Sequence, residues 1–137
     1  MSNGEFLEVS ATIHAPLDQV WEKWTQAEHV VNWNFAHESW CCPTAEVDFS
    51  VGGSSVYRME ARDGSFGFDL KATFLAIEVL SFIASELEDG RKVEVKFIAG
   101  ENAVLLQQRF QPETENTLAL QQQGWQAILN QFKSYCE

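Results

Sequence analysis

The stretch EFLEVSATIHAPLDQVWEKWT, residues 5–25, contains the change of period on which the fold prediction rests. Apolar and polar residues alternate over residues 7–14, which is typical of a half-buried β-strand. Pro16 ends that strand and suits the first turn of a helix, because a backbone N–H at that position would have no partner inside the helix. After it, apolar residues recur at helical spacing, namely Val20, Trp21 and Trp24. QAEHVVNW, residues 26–33, predicts a second short helix that ends near Trp33.

Between residues 45 and 110 the chain predicts about six further strands. Runs of alternating apolar and polar residues meet at Asp63-Gly64 and again at Asp89-Gly90. An Asp-Gly pair between two such runs is a strong hairpin signal. Because connections this short favour antiparallel neighbours, the strands are expected to form a meander.

After Pro112 the period changes to that of a long C-terminal helix. Its expected buried face carries Leu118, Trp125, Ile128, Leu129, Phe132 and Cys136. Its expected solvent face carries Gln121, Gln122, Gln126 and Gln131. Asn116 or Thr114 is expected to cap the helix. Gly124 costs about 1 kcal/mol in mid-helix relative to alanine, so we expect a close approach to it by a neighbouring backbone or ligand.

The composition fits one domain over residues 1–137 and restricts its partners. Ten Phe and five Trp indicate a bulky core or a cavity with aromatic walls. A net charge of −11 argues against nucleic acid and anionic membranes, and no apolar run has the roughly 18 residues of a membrane span. Three cysteines without a framework of spacings, and no signal peptide in the first ten residues, predict a cytoplasmic protein with reduced thiols.

Four sequence blocks, in this order, resemble a known superfamily: HAPLDQVWEKWTQAEHVVNW (14–33), DFSVGG (48–53), the Asp-Gly pair, and GWQAILNQF (124–132). The chain is similar to the SRPBCC, or START-like, superfamily, and within it to the branch named after the C-terminal domain of the heat-shock-protein-90 ATPase activator. The resemblance implies an α+β helix-grip fold (START/birch-pollen-allergen-like). In that fold a curved antiparallel sheet of six to seven strands surrounds a long C-terminal helix, with two short helices after the first strand and a deep cavity between sheet and helix.

The segment NFAHESWCCP, residues 34–43, brings a histidine and two cysteines close in sequence. His37, Cys41 and Cys42 are suitable zinc ligands by type, but adjacent cysteines are poor co-ligands of one tetrahedral ion. A nucleophilic cysteine needs a base and an electropositive environment, which Glu38 and Glu46 oppose. We therefore interpret both cysteines as small packing residues and expect no metal and no cofactor.

The expected ligand-binding set is apolar and aromatic: Trp33, Phe35, Trp40, Tyr57, Met59, Phe68, Trp125 and Leu129. In YRMEAR, residues 57–62, the Tyr57 and Met59 parity is expected to face the cavity, which leaves Arg58 and Glu60 in solvent. A slip of one residue would instead bury Arg58 and Glu60. For the first three aromatic residues, ordinary core packing is the alternative.

Three functions follow as hypotheses. The first is a binding domain, monomeric or homodimeric, that holds a small apolar or aromatic ligand. The second is a cavity enzyme of the cyclase type, for which Tyr57, Arg58, Glu60 and His37 are the titratable candidates, although none lies in a recognisable catalytic motif. The third is a co-chaperone-like protein that binds a chaperone, as the family name implies.

Overall fold

The computed structural model describes residues 5–137, so expectations for the first four residues lie outside it. In chain order the elements are β1 (Leu7–Ile13), α1 (Leu17–Thr25), α2 (Ala27–Val30), β2 (Trp40–Val47), β3 (Ser54–Ala61), β4 (Gly67–Glu78), β5 (Phe82–Leu87), β6 (Lys92–Gly100), β7 (Ala103–Phe110) and α3 (Leu118–Cys136). None of these helices is long and apolar enough to cross a membrane.

All seven strands form one antiparallel sheet in the order β1-β7-β6-β5-β4-β3-β2. The predicted meander is confirmed from β2 to β7. Gly64 and Gly90 have φ angles of 78° and 94°, the left-handed region that tight turns require and that glycine adopts without strain. The curled sheet holds α3 against its concave face, so the predicted helix-grip arrangement is also confirmed.

Strand β2 begins earlier than predicted, at Trp40 rather than at Ala45. Its pairing with β3 is irregular between Cys41 and Thr44, and Pro43 is exposed there. A proline donates no ladder hydrogen bond, but β2 is an edge strand with a bulge at this point, where proline is tolerated. The bulge turns Cys42 into the core.

Helix α3 starts differently from the prediction. Thr117 is the N-cap, and its hydroxyl accepts a hydrogen bond from the backbone N–H of Leu120 at 3.1 Å, so the expectation of Asn116 or Thr114 is wrong. The Asn116 side chain instead donates to Glu113. Gln121, predicted to be in solvent, is buried and donates to the carbonyls of Glu113 and Asn116. Gln121 therefore ties the incoming loop to the first turn of the helix.

The polar side of α3 covers the outer edge of the sheet. Three of its side chains donate hydrogen bonds to alternate backbone carbonyls of β1: Gln122 to Glu8 at 2.9 Å, Gln126 to Ser10 at 3.0 Å and Lys133 to Thr12 at 2.7 Å. An unpaired sheet edge invites pairing with other chains, and these bonds occupy it. They also hold α3 close to β1.

The centre of the core is aromatic. Phe132 on α3 is fully buried and meets Trp24 and Trp33 edge to face, with ring centroids 4.9 and 4.8 Å away. Trp24 and Trp33 stack on each other at 4.8 Å. These three rings join α1 and the segment after α2 to α3.

Candidate functional site

A cavity of about 150 Å³ lies between the concave face of the sheet and the middle of α3. Strands β3 to β7 supply most of its walls, α1 and the segment after α2 supply one end, and α3 supplies the roof. Its lining residues are Trp24, Thr25, Trp33, Asn34, Phe49, Ser55, Tyr57, Leu70, Ala72, Phe74, Ile83, Ser85, Leu87, Val93, Val95, Gln108, Trp125 and Ile128.

The position of α3 over the sheet explains why a space remains there. Among the sheet strands, the backbone of α3 lies closest to β1, and α1 is the other element close to it. Helix α3 therefore does not pack directly on the inward side chains of β3, β4 and β5, and a space remains between them. Small residues on these strands, Ala72 and Ser85, widen the space further.

Trp125 forms part of the roof. Its ring stacks on Phe110 of β7 with centroids 4.1 Å apart and planes within 6° of parallel. The ring borders the cavity, as predicted, but it is half-buried rather than fully buried. A Cβ atom on Gly124 would meet no heavy atom within 4 Å, so the predicted close approach to that glycine is wrong for the residues that the structure describes.

The lining contains five residues with amide or aliphatic hydroxyl groups, and most of these groups already have protein partners. Thr25 donates to the carbonyl of Trp21 at 2.8 Å, and the Asn34 amide donates to the sulfur of Met59 at 3.5 Å. The Ser55 hydroxyl interacts with the Tyr57 hydroxyl. Ser85 and Gln108 complete the set.

The lining is electrically neutral. No Asp, Glu, Lys, Arg or His side chain contributes to it within residues 5–137, and Tyr57 is its one titratable member. Burial raises the pKa of Tyr57 to about 12, so the phenol keeps its proton at any physiological pH. A charged ligand would thus lose its hydration without gaining an opposite charge.

Three of the eight predicted ligand-binding residues meet in this cavity: Trp33, Tyr57 and Trp125. Met59 and Leu129 are buried in the core beside it but are not among its lining residues. Phe35 lies outside, with the Arg62 guanidinium 5.5 Å from its ring centroid. Phe35 and the last two residues of the predicted set therefore do not share one site with Trp33.

The last two residues of the predicted set, Trp40 and Phe68, belong to a separate aromatic cluster that also contains Phe66. The ring centroids of Trp40 lie 5.9 Å from Phe66 and 6.3 Å from Phe68. Phe66 is 60% exposed and Phe68 is 42% exposed. We call Trp40, Phe66 and Phe68 the β2–β4 aromatic patch.

The predicted parity of β3 is confirmed. Met59 is buried and Tyr57 lines the cavity, whereas Arg58 donates to Glu60 at 2.9 Å and to Asp69 at 3.4 Å on the other face. The slipped register that would bury Arg58 and Glu60 is therefore wrong. His37 is exposed and hydrogen-bonds Ser39, so of the four titratable candidates for catalysis the cavity contains Tyr57.

The cysteines behave as packing residues. Cys42 is buried, and burial raises the pKa of its thiol to about 11, which suppresses the reactive thiolate. Cys136 is buried and its pKa is likewise raised to about 11. In the described part of the chain no three His, Cys, Asp or Glu side chains are grouped so that they could hold a metal ion.

Several lining residues were not predicted, and Gln108 is the most informative of them. Along β7 the buried positions are Val104, Leu106, Gln108 and Phe110, so Gln108 takes a core position in an otherwise apolar row. A glutamine on the inward parity of a strand is visible in the sequence and could have been found there. Phe49 lies just after β2 and continues the alternation of Ala45 and Val47, so its inward direction could also have been found in the sequence.

A family model described as Activator of Hsp90 ATPase homolog 1-like protein matches residues 14–137. The solution NMR structure of an AHSA1-like protein from Aeromonas hydrophila is similar, with a TM-score of 0.90 and 36% sequence identity; the match covers 96% of this chain and 91% of that chain. A solution structure from Cytophaga hutchinsonii has a TM-score of 0.82 and 37% identity over 93% of this chain and 89% of that chain.

A crystal structure from Nitrosomonas europaea, 15% identical, has a TM-score of 0.81 over 95% of this chain and 92% of that chain, and this likeness concerns the fold alone. A search among curated proteins finds no match.

Proposed function

The chain belongs to the family of Activator of Hsp90 ATPase homolog 1-like proteins, and on that premise we propose that it is a single-domain binding protein that holds a small apolar or aromatic molecule between the sheet and α3. The observation that supports this most is the cavity of about 150 Å³ walled by aromatic rings. Ligand sites are typically concave and mostly apolar, with a few polar groups that orient the ligand. The three cysteines are free thiols, which fits the cytoplasmic location that we also propose.

Binding is favoured over catalysis by the chemistry of the lining. A cavity enzyme needs at least two titratable groups near the substrate, with pKa values matched to proton transfer. Tyr57 is the one such group that the described lining offers, and its pKa is raised to about 12, away from the neutral range. Within residues 5–137 the lining holds no histidine that could act as a base for Thr25, Ser55 or Ser85.

The experiment is a titration with a small aromatic probe. Three tryptophans line the cavity (Trp24, Trp33 and Trp125), so toluene should change the intrinsic fluorescence on binding. Ala72→Leu fills part of the cavity and should weaken toluene binding at least about tenfold, that is by about 1.4 kcal/mol. Thr73→Leu, exposed at the next position on the same strand, is the matched control and should leave binding unchanged.

Two results would contradict the proposal. One is the absence of binding by toluene, phenol and indole at millimolar concentration. The other is equal weakening by Ala72→Leu and Thr73→Leu, since that would place the bound probe outside the cavity.

The second candidate function is binding to a chaperone of the Hsp90 class, which the family name suggests and the β2–β4 aromatic patch supports. Exposed aromatic side chains often anchor protein interfaces. The net charge of −11 would favour a basic surface on the partner. Phe66→Ser should abolish any stimulation of an Hsp90 ATPase, while Val79→Ser, which is 73% exposed elsewhere on the surface, should retain it. Lack of stimulation by the wild-type protein would remove this candidate.

A further inference from the structure

Gln108 is a polar side chain in a position built for an apolar one. It is 8% exposed, and it lines the cavity from its position on β7. Its directly opposite neighbours on the inner face of the sheet are Val9 on β1 and Val95 on β6. Within residues 5–137 its side-chain amide forms no hydrogen bond, whereas Asn34 and Thr25 on the same lining both have partners.

An amide at a largely buried position costs folding free energy unless a partner completes its hydrogen bonds. Leucine or methionine would occupy nearly the same space at this position without that cost. Every described side-chain nitrogen or oxygen that is fully buried has a hydrogen-bond partner. Because the Gln108 amide has none, its atoms are not fully buried and stay accessible from the cavity. What completes its hydrogen bonds is therefore whatever occupies the cavity.

The cavity restricts the size of that occupant. Its volume of about 150 Å³ is that of a cavity which takes up benzene in other proteins, so one aromatic ring fits and a long acyl chain does not. The surrounding rings include Trp33, Tyr57 and Phe74, whose edges and faces suit an aromatic guest.

The electrostatics restrict its charge. No cationic side chain in the described lining would neutralise a carboxylate or phosphate, and no carboxylate would neutralise an amine. The Tyr57 phenol is neutral, and the Gln108 amide can both donate and accept one hydrogen bond with a neutral group.

We propose that the cavity takes a neutral, single-ring aromatic molecule with one hydrogen-bonding substituent, of the phenol class, and that Gln108 recognises the substituent. This inference rests on the proposed binding function and adds to it the chemical class of the ligand and the residue that selects it. A site built to pair a buried polar group rejects analogues that lack the matching group, since the amide would then be left unpaired.

The test compares phenol, toluene and benzoate as probes. Isothermal titration measures their dissociation constants for the wild type, for Gln108→Leu, and for Gln107→Leu. Gln107 is adjacent on β7, and its side chain points to the outer face, so it is the matched control. In the wild type, benzoate should bind at least about tenfold more weakly than phenol because its charge is unpaired in the cavity.

The decisive quantity is the ratio of the toluene to the phenol dissociation constant. This ratio should fall about tenfold in Gln108→Leu, the effect expected when a buried hydrogen bond is removed, and stay within about twofold in Gln107→Leu. Gln108→Met provides a second variant of similar length without an amide, should the leucine variant fold poorly, and its ratio should fall to the same extent.

The outcomes separate the two proposals. If toluene binds the wild type but neither Gln108 variant changes the ratio, the assignment of Gln108 and of the phenol class is wrong, while the binding function stands. Benzoate binding as tightly as phenol would also overturn the neutral-ligand assignment. If none of the three probes binds the wild type, the binding function fails, and the inference fails with it.

Discussion

Replacement of Trp125 by alanine tests the packing of α3 and the roof of the cavity together. One face of the indole stacks on Phe110 at 4.1 Å, and the same side chain borders the cavity. Alanine removes the stack and joins the vacated volume to the existing cavity. Phe110 is fully buried under that ring, so the substitution also removes packing contacts of a core residue.

The expected cost is smaller than for a fully buried ring. Truncation of a buried aromatic residue to alanine costs about 3–5 kcal/mol, of which the aromatic pair supplies about 0.5–1.5 kcal/mol. Trp125 is half-buried, so we expect Trp125→Ala to lower the free energy of unfolding by about 2–4 kcal/mol. Trp125→Phe keeps a ring over Phe110 and should cost about 1 kcal/mol.

Urea denaturation followed by far-ultraviolet circular dichroism measures both variants without relying on tryptophan emission. Leu120→Ala is the control, because this side chain is on the same helix and 55% exposed, and its effect should stay within about 0.5 kcal/mol. If Trp125→Ala costs no more than Leu120→Ala, α3 does not rest on β7 through this ring. The described roof of the cavity would then be wrong.

Three further predictions concern single side chains. Gln108→Leu should raise the free energy of unfolding of the ligand-free protein by about 1 kcal/mol, since it replaces an amide that has no protein partner within residues 5–137 by an apolar side chain at a largely buried position; lower stability in urea denaturation would contradict this. The pKa of Tyr57 rises from 10.0 to about 12 on burial, so between these pH values the unfolded chain releases a proton that the folded chain keeps. Stability should therefore fall from pH 10 to pH 12 by about 1–3 kcal/mol more in the wild type than in Tyr57→Phe, and parallel curves would show that the phenol is not buried. At pH 8 a thiol reagent should modify half-exposed Cys41 well before Cys42 and Cys136, whose pKa values are both raised to about 11, and Cys41→Ser should remove the fast phase.

Local signals predicted the strands well. Alternation over β1 and the Asp-Gly pairs at positions 63–64 and 89–90 act within a few residues, so their meaning does not depend on the rest of the chain. The same holds for the parity of Tyr57 and Met59, since a strand with one buried face admits one register.

Predictions that depended on distant partners were less successful. Gln121 looked like a solvent residue because nothing in its neighbourhood shows that the loop carbonyls of Glu113 and Asn116 would lie against it. Trp40 and Phe68 share the aromatic character of Trp33, but their strands carry them to a different surface. The kind of side chain was right, and the place where it lies was decided by strand pairing.

The element order, the hairpins, the inward parity of the strands and the family could be predicted from the sequence, because these depend on local periodicity and on short motifs. Tertiary structure alone decided where the cavity lies and what lines it. Its position depends on the pairing of β1 with β7, about a hundred residues apart in the chain, and on the three hydrogen bonds that draw α3 towards β1. Because no helix packs closely over β3, β4 and β5, the inward glutamine of β7 faces a cavity instead of a packed core.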